Sequence, residues 1–491
     1  MADAPQAAAG EQALPDDVSS LLDEITVASG IKDETARRVA RRGVQELLTN
    51  LLASPAEKID KALIDAYIAE IDAKLGAQVD AILHHPEVQK LESSWRGLKF
   101  MIDQVDFREN MKVNILNVSK GELLEDFENS PEIVKSGLYQ HIYTAEFGQA
   151  GGEPIGAMVA NYEFGPGPRD VALAQKVSAV GAMSHCPFIA AAGAEMFGVD
   201  DFQELPKLKD LDSVFEGPQY AKWNGFRESP DSRYFSLAMP RFLLRHPYDP
   251  DANPTKAFHY EEKVTDHHGK YLWGNAAFAF ATRMSDSFAQ SHWTSNCVGP
   301  QSGGMVQNMV LHNYKTLEGI ETKIPTEVQI SDRREFELAE CGFMALTHYK
   351  GSDQACFFSA NSVQRPLKFA DTEEGRRDQT NYKLGTRLPY MMMVCRLAHY
   401  LKVIQRDNIG SWQTPTKMQT ELNEWMRQYA ADMDNPTAEV ANRRPIRKFA
   451  IKVEEVEGEV GFYKVDLQVM PHIKFEGANF TLSLVGKLDK E

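Results

Sequence analysis

The chain has 491 residues, with 53 lysines and arginines against 70 aspartates and glutamates, a formal net charge of −17, and 43% hydrophobic residues. That length accommodates about three domains of roughly 150 residues, and the ordinary globular composition excludes wholesale disorder and collagen-like repetition. So acidic a chain is poorly suited to unspecific binding of nucleic acid or an anionic bilayer, and better suited to a basic partner surface.

The five cysteines, Cys186, Cys297, Cys341, Cys356 and Cys395, are an odd number without a CxxC pair. They read as buried thiols in a reducing compartment, and neither a disulfide nor a zinc knuckle is expected. Residues 1–30 hold six acids and no base, unlike a signal peptide, so the protein is expected to stay where it is made. Residues 177–194 are uncharged over about the length of a membrane helix. Ser178, Ser184, His185 and Pro187 interrupt them, and a helix end, a turn and a buried strand are expected instead.

In chain order, a small-residue leader through Gly10, expected to be mobile, precedes Val18, Leu21, Leu22 and Ile25. These fall on one helical face, with Asp16 and Asp17 at the favourable N-terminal end and Gly30 as the stop. Two readings stand side by side: a helix packed on its own domain, or a short isolated helix that docks into a partner's groove. A second helix is expected from about Asp33 through Leu47, Leu48, Leu51 and Leu52. Ser54-Pro55-Ala56-Glu57 then forms a capping box. Ile59, Leu63, Tyr67, Ile71 and Leu75 continue at spacing four, and beyond His84-His85-Pro86 the series Val88, Leu91, Trp95, Leu98, Ile102 continues at three and four. Such a seam suits packing on another helix, in this chain or a neighbour.

The period changes near Lys112. Residues 113–118 read as a strand, 122–128 as a helix, and 155–192 as strand, loop, helix and strand, a parallel crossover unit in a mixed sheet. Gly165-Pro166-Gly167-Pro168 is no phosphate cradle, because its prolines lack the N–H groups such a loop needs. A helix is expected over 271–289, a strand over 325–330 and a long apolar helix over 388–405. At the C-terminal end Phe449, Ile451 and Val453 alternate with polar residues, as do Tyr463, Val465, Leu467 and Val469, then Phe480, Leu482, Leu484 and Leu488. The ordinary reading is a closed antiparallel sheet, yet a final strand so near the end of the chain can also pair with a foreign sheet edge. The fold class is therefore mixed α/β (α+β), with a helical N-terminal arm, a mixed-sheet middle and antiparallel C-terminal strands.

Chemistry is weakly signalled. HExxH, GxSxG, Walker and GxGxxG patterns are all missing from the sequence. His84-His85 and Asp266-His267-His268 are adjacent histidines whose side chains point apart, which favours structural roles over a shared metal. The run Arg443-Arg444-Pro445-Ile446-Arg447-Lys448 is expected to meet acidic groups within or between subunits rather than nucleic acid. Residues 332–337 read as a solvated, ion-paired helical face. An enzyme assembled from scattered residues such as His185, His399 and Glu327 is the rival from another class. A soluble adaptor that binds one partner and never polymerises is a further alternative.

Longer strings carry a resemblance. Glu92-Ser93-Ser94-Trp95-Arg96-Gly97-Leu98, Asn161-Tyr162-Glu163-Phe164-Gly165-Pro166-Gly167-Pro168, Phe215-Glu216-Gly217-Pro218-Gln219-Tyr220-Ala221-Lys222-Trp223, Pro240-Arg241-Phe242-Leu243-Leu244-Arg245, Lys323-Ile324-Pro325-Thr326-Glu327-Val328 and Phe480-Thr481-Leu482-Ser483-Leu484-Val485-Gly486-Lys487-Leu488 resemble the large subunit of the type VI secretion contractile sheath, the TssC or VipB family. Similar strings span nearly the whole chain. The resemblance implies a structural protein without cofactor or metal, which pairs with a small sheath subunit (TssB/VipA) and with other copies of itself. It implies a helical tube around a stack of Hcp rings in the bacterial cytoplasm, in contact with baseplate components, with neither nucleic acid nor membrane insertion.

Site by site, the resemblance places a handle for a ClpV-type AAA+ ATPase on Val18, Leu21, Leu22 and Ile25. It places the strand exchanged between subunits, the handshake of phage-tail-like sheaths, on Phe480, Leu482, Leu484, Val485 and Leu488. The divisions it implies are a flexible arm (1–53), a helical segment packing on the small subunit and the sheath core (54–110), a mixed α/β outer domain (111–345) and a sheath-core domain (346–491). The residues themselves leave inner-tube contact open. Glu421, Glu424, Asp432 and Asp434, on a helix expected over 419–434, either face a basic tube or form a solvated acidic face.

Overall fold

The computed structural model describes residues 35, 38–45, 61–317, 319–410, 414–433, 436–455, 463–472 and 482–486. The chain divides into two compact units, Met1–Val79 with Pro254–Tyr260 and Asp80–Asn253 with Glu261–Glu491. Residues 18–25, 54–57, 480, 488 and 434, singled out above, lie outside the described residues.

In the first unit residues 38–45 are helical. Helix α1 (Lys61–Leu83) carries Ile64, Ile68, Ile71 and Leu75 along one face, all exposed. Of the expected seam, Tyr67, Ile71 and Leu75 are on this helix, Tyr67 half-buried and Ile71 and Leu75 exposed, and Ile59 lies outside the described residues. Tyr260 is buried in the same unit, its ring packed against Phe258.

The second unit opens with α2 (Pro86–Asp103). His85 caps it by accepting from the Glu87 amide, and Pro86 supplies a preset first turn. Helix α3 (Lys120–Asn129) starts on a reciprocal capping box between Ser119 and Glu122. The strands follow in chain order: β1 (Met158–Phe164), β2 (Phe188–Ala192), β3 (Phe235–Met239), the two-residue β4 (Phe242–Leu243) and β5 (Trp273–Gly274), β6 (Met305–Val306), β7 (His312–Thr316), β8 (Gly319–Lys323), β9 (Phe343–His348) and β10 (Ala355–Phe357). Six of them form one mixed sheet in the order β1-β2-β3-β9-β10-β6. The first four run parallel, and β10 is antiparallel to both neighbours.

Period-two alternation sorts this sheet's side chains into two cores. Phe188, Ala190, Phe343 and Ala345 join α4 (Pro168–Ser184) on one face. Ile189, Met344 and Leu346 join α5 (Ala276–Ser291) on the other. A parallel sheet covered on both faces explains why these strands read as unbroken apolar runs. The expected crossover unit is β1-α4-β2, and its Gly-Pro loop has the role of starting α4, with Gly167 at the cap and Pro168 in the first turn.

The last part is built on α7 (Leu388–Asp407) and α8 (Pro415–Arg427), after the short α6 (Asp332–Glu340). They pack on an antiparallel sheet of β11 (Ile446–Glu455), β12 (Tyr463–Pro471) and β13 (Leu482–Gly486). Leu397, Leu401, Met418, Leu422 and Met426 form one core with Ile451, Val453, Val465, Leu467 and Val469.

Three expectations need correction. Residues 113–118 form no strand, and residues 325–330 contribute only a bridge between Thr326 and Phe242. The helix expected over 419–434 starts and ends earlier, as α8 (Pro415–Arg427), because Thr414 and Pro415 supply its N-cap and first turn.

Candidate assembly surfaces

The C-terminal sheet positions the strand singled out for exchange. Within this chain β13 lies antiparallel to β12, with Leu482 opposite Val469, Leu484 opposite Leu467 and Gly486 opposite Val465. These partners on β12 are buried and also face the aliphatics of β11, Ile451 against Leu467 and Val453 against Val465. Register is thereby set, since a one-residue slip turns every side chain to the wrong face. Among the described residues β13 is the last strand of its sheet.

Of the acidic residues proposed to meet an inner tube, Glu421 and Glu424 lie one turn apart on α8 and Asp432 lies beyond its end. Glu424 is exposed, while Glu421 approaches Lys417 at 4.0 Å. In the basic run, Arg443 lies 3.8 Å from Glu439, one helical turn away. On α6, Glu337 accepts from both Arg333 and Arg334 at 2.9 Å, and Glu335 accepts from Ser359 Oγ at 2.6 Å. Part of this expected solvated face is therefore a half-buried anchor, and partial burial raises the Glu335 carboxyl.

Two polar clusters fasten the second unit. Arg245 donates to Glu262 at 2.6 and 3.0 Å and to Glu92 of α2 at 2.9 Å, while His84 Nε2 lies 3.1 Å from Glu262 Oε1. Burial works against charge on Glu262, but Arg245, the Tyr248 amide and His84 outweigh it and hold the carboxyl below its ordinary range. Removing one partner of so buried a pair costs about 3–5 kcal/mol, because the other charge stays behind unsolvated. His84 and His85 thus have structural roles, one in this cluster and one as a helix cap.

The second cluster contains Asp201, His268 and Glu327, whose ligand atoms lie within 4.8 Å of one another. Its donors are already committed. Arg241 grips both Glu327 oxygens at 2.8 and 2.6 Å, and His268 Nε2 lies 3.1 Å from Glu327 Oε1. Lys323 Nζ and Gln203 Nε2 approach His268 Nδ1 at 2.8 and 2.7 Å, so Nδ1 accepts and Nε2–H donates to Glu327. Burial opposes ionisation of Glu327, yet Arg241 and His268 hold its carboxyl below the usual range. A cation here has to displace an arginine and face a lysine, so the donor set fits an ion-pair network rather than a metal centre.

The remaining pair of the enzyme reading, His185 and His399, does come together, with ring centroids 6.4 Å apart beside Phe147. Burial, with Lys402 nearby, lowers each to about 4. His399 Nε2 donates to the Ser184 carbonyl at 3.0 Å. Glu327 belongs to the other cluster, so the three scattered residues do not form one site. All five cysteines are buried and free. Among the described residues no helix is long and apolar enough to cross a membrane.

Comparison with known proteins adds identity to this geometry. Residues 65–364 match the VipB family, described as "EvpB/VC_A0108, tail sheath N-terminal domain", and residues 377–488 match its companion, "tail sheath gpW/gp25-like domain". The break between the two falls after β10 and the six-stranded sheet. The chain is 40% identical over 465 residues to the type VI secretion system sheath protein TssC1 of Pseudomonas aeruginosa (strain PAO1), covering 93% of this chain and 92% of that protein. Among solved structures, a chain of the anti-feeding prophage baseplate, determined by cryo-EM with 6-fold symmetry, aligns over 78% of this chain and 81% of its own at 10% identity. Its TM-score of 0.33 is too low to carry an argument.

Proposed function

The chain belongs to the VipB tail-sheath family and is the large subunit of a type VI secretion contractile sheath, a structural protein and not an enzyme, and on that premise we propose how it assembles. It pairs with a small sheath subunit of the TssB/VipA kind, and the pair polymerises in the bacterial cytoplasm as a helical tube around Hcp rings, seated on baseplate components. Contacts between unlike surfaces of identical units do not close, so such a lattice extends indefinitely.

The observation that carries this reading is the place of β13, at the end of a three-stranded sheet and near the end of the described chain. The ladder it makes with β12 is chemically the same as one made with a neighbour's sheet edge. Each such bond contributes only about 0.5–1.5 kcal/mol net, but several act together and alternate aliphatics fill pockets, giving a joint that is strong and flexible. Phe480, Leu482, Leu484, Val485 and Leu488 form the exchanged segment. Contraction is then a move between two packings of one set of contacts, with no nucleotide bound by this chain.

Val18, Leu21, Leu22 and Ile25 form the handle for a ClpV-type ATPase that dismantles spent tubes, and Glu421, Glu424, Asp432 and Asp434 face the inner tube. The arm (1–53) and the helical segment (54–110) precede the α/β region. After them come, on the same reading, an outer α/β domain (111–345) and a sheath-core domain (346–491). Electron microscopy after co-expression with the small subunit tests the reading: long hollow tubes are expected, and discrete particles at every salt and concentration refute it. The handle fails if Leu21→Ala with Leu22→Ala leaves the ATPase affinity of assembled tubes unchanged.

A further inference from the structure

Helix α7 turns His399, Lys402 and Arg406, spaced three and four and so on one face, toward the end of α4 and the π-helical turn Gln140–Phe147. His399 Nε2 donates to the Ser184 carbonyl at 3.0 Å and Lys402 Nζ to Tyr143 Oη at 2.8 Å. Arg406 donates to the carbonyls of Phe147, at 2.7 Å, and of Gln149. Eight residues in π geometry are rare, and such turns recur where function needs an irregular helix. Here they set Tyr139, Tyr143 and Phe147 in a column, with ring centroids 4.8 and 5.3 Å apart. Lys402 Nζ lies 4.5 Å from the Tyr143 ring and 4.0 Å from the Phe147 ring.

Phe147 covers the histidine pair, its centroid 6.1 Å from that of His185 and 5.2 Å from that of His399, with the rings edge to face. From behind, Tyr234 Oη lies 3.5 Å from His185 Nδ1. The charges that act on the two rings are positive, Lys402 on both and Arg396 on His399. The one acid of the turn, Glu146, accepts from the Glu153 amide at 2.9 Å, and apart from His185 residues 177–186 hold no charged or basic side chain. A proton on either ring therefore meets cations. The joint also lies outside the apolar cores. Phe147, His185, His399, Lys402 and Arg406 belong to none of them, whereas Leu138 and Ile142 are fixed in the core beneath, and Leu397 and Leu401 hold α7 to the C-terminal sheet. Residues 143–149 can lift while those cores stay closed.

We propose that residues 143–149 are an acid-released strap, closed over neutral His185 and His399 and lifted when either ring takes up a proton. With the strap down each ring is held near 4, against 6.5 in the open, so the lifted form binds the proton first as pH falls. Closure is complete above 6.5 and weakens below it, by about thirtyfold per histidine at pH 5. The strap belongs to the single subunit and does not depend on how subunits assemble.

Hydrogen exchange on the full chain, corrected for the intrinsic rate at each pH, tests this. Between pH 7 and pH 5 the protection of amides 145–148, among them the Gly148 amide that donates to the Tyr143 carbonyl, should fall by about tenfold or more, while the amides of β2 and β3 keep theirs. His185→Gln together with His399→Gln should abolish the fall, and either substitution alone should leave about half of it on a logarithmic scale. Equal protection at the two pH values refutes the strap, as does a loss that comes only together with β2 and β3. A fall that persists undiminished in the variants refutes it equally, because the histidines would then not be the groups that release it.

Discussion

His399 is 2% exposed and spends its one proton on the Ser184 carbonyl, leaving Nδ1 buried without a partner. Its folded pKa is near 4 against 6.5 for an ordinary histidine, because burial disfavours the charged form. The unfolded chain therefore binds the proton first as pH falls, so this residue's contribution is whole above 6.5 and is lost progressively toward 4. The full loss is about 3 kcal/mol at the usual 1.36 kcal/mol per unit. His399→Gln, which keeps a donor for Ser184, should flatten the fall in urea midpoint over that window, and an identical slope in both proteins would refute the assignment. At this scale the sequence was partly legible. Adjacent histidines announced divergent roles, and His84 and His85 have them. That His399 meets His185 was not legible, because contacts 214 positions apart leave no local pattern.

Elements were easiest to read where their own sequence closes them. The capping box of α3, the Pro-started α4 and α7, and the alternating β11 and β12 all stand near their expected places, because cap, period and length agree there. Residues 113–118 show the limit: alternation fixes which side chains share a face, but a strand exists only when another backbone pairs with it. The contact of α2 with α5 was equally hidden, since nothing local says that Gly97 faces an aromatic ring. A Cβ on Gly97 would stand 2.7 Å from the Phe278 ring. Gly97→Ala should accordingly cost about 1–3 kcal/mol through overpacking, read as a lowered melting temperature. An unchanged one would mean that α2 does not lie against α5 as described.

For the molecule as a whole, the C-terminal strand can be removed without touching the six-stranded sheet or its two cores, since neither draws on residues beyond β10 and the start of α7. Deleting residues 480–491 is expected to leave a folded chain that still co-purifies with the small subunit and forms no tubes. Normal tubes from the truncated protein would refute strand exchange. The family was legible at this scale because long strings recur along nearly the whole length.

The burial of Cys186, Cys297, Cys341, Cys356 and Cys395 has a practical consequence. Burial lifts the thiols of Cys297, Cys341 and Cys356 to about 12, so at neutral pH thiolate is scarce and out of reach of reagents. The native protein therefore offers a silent background to maleimide chemistry. One cysteine placed on an exposed helix can carry a dye or spin label unaccompanied, turning each subunit into a gauge of how far its neighbours travel when the sheath shortens.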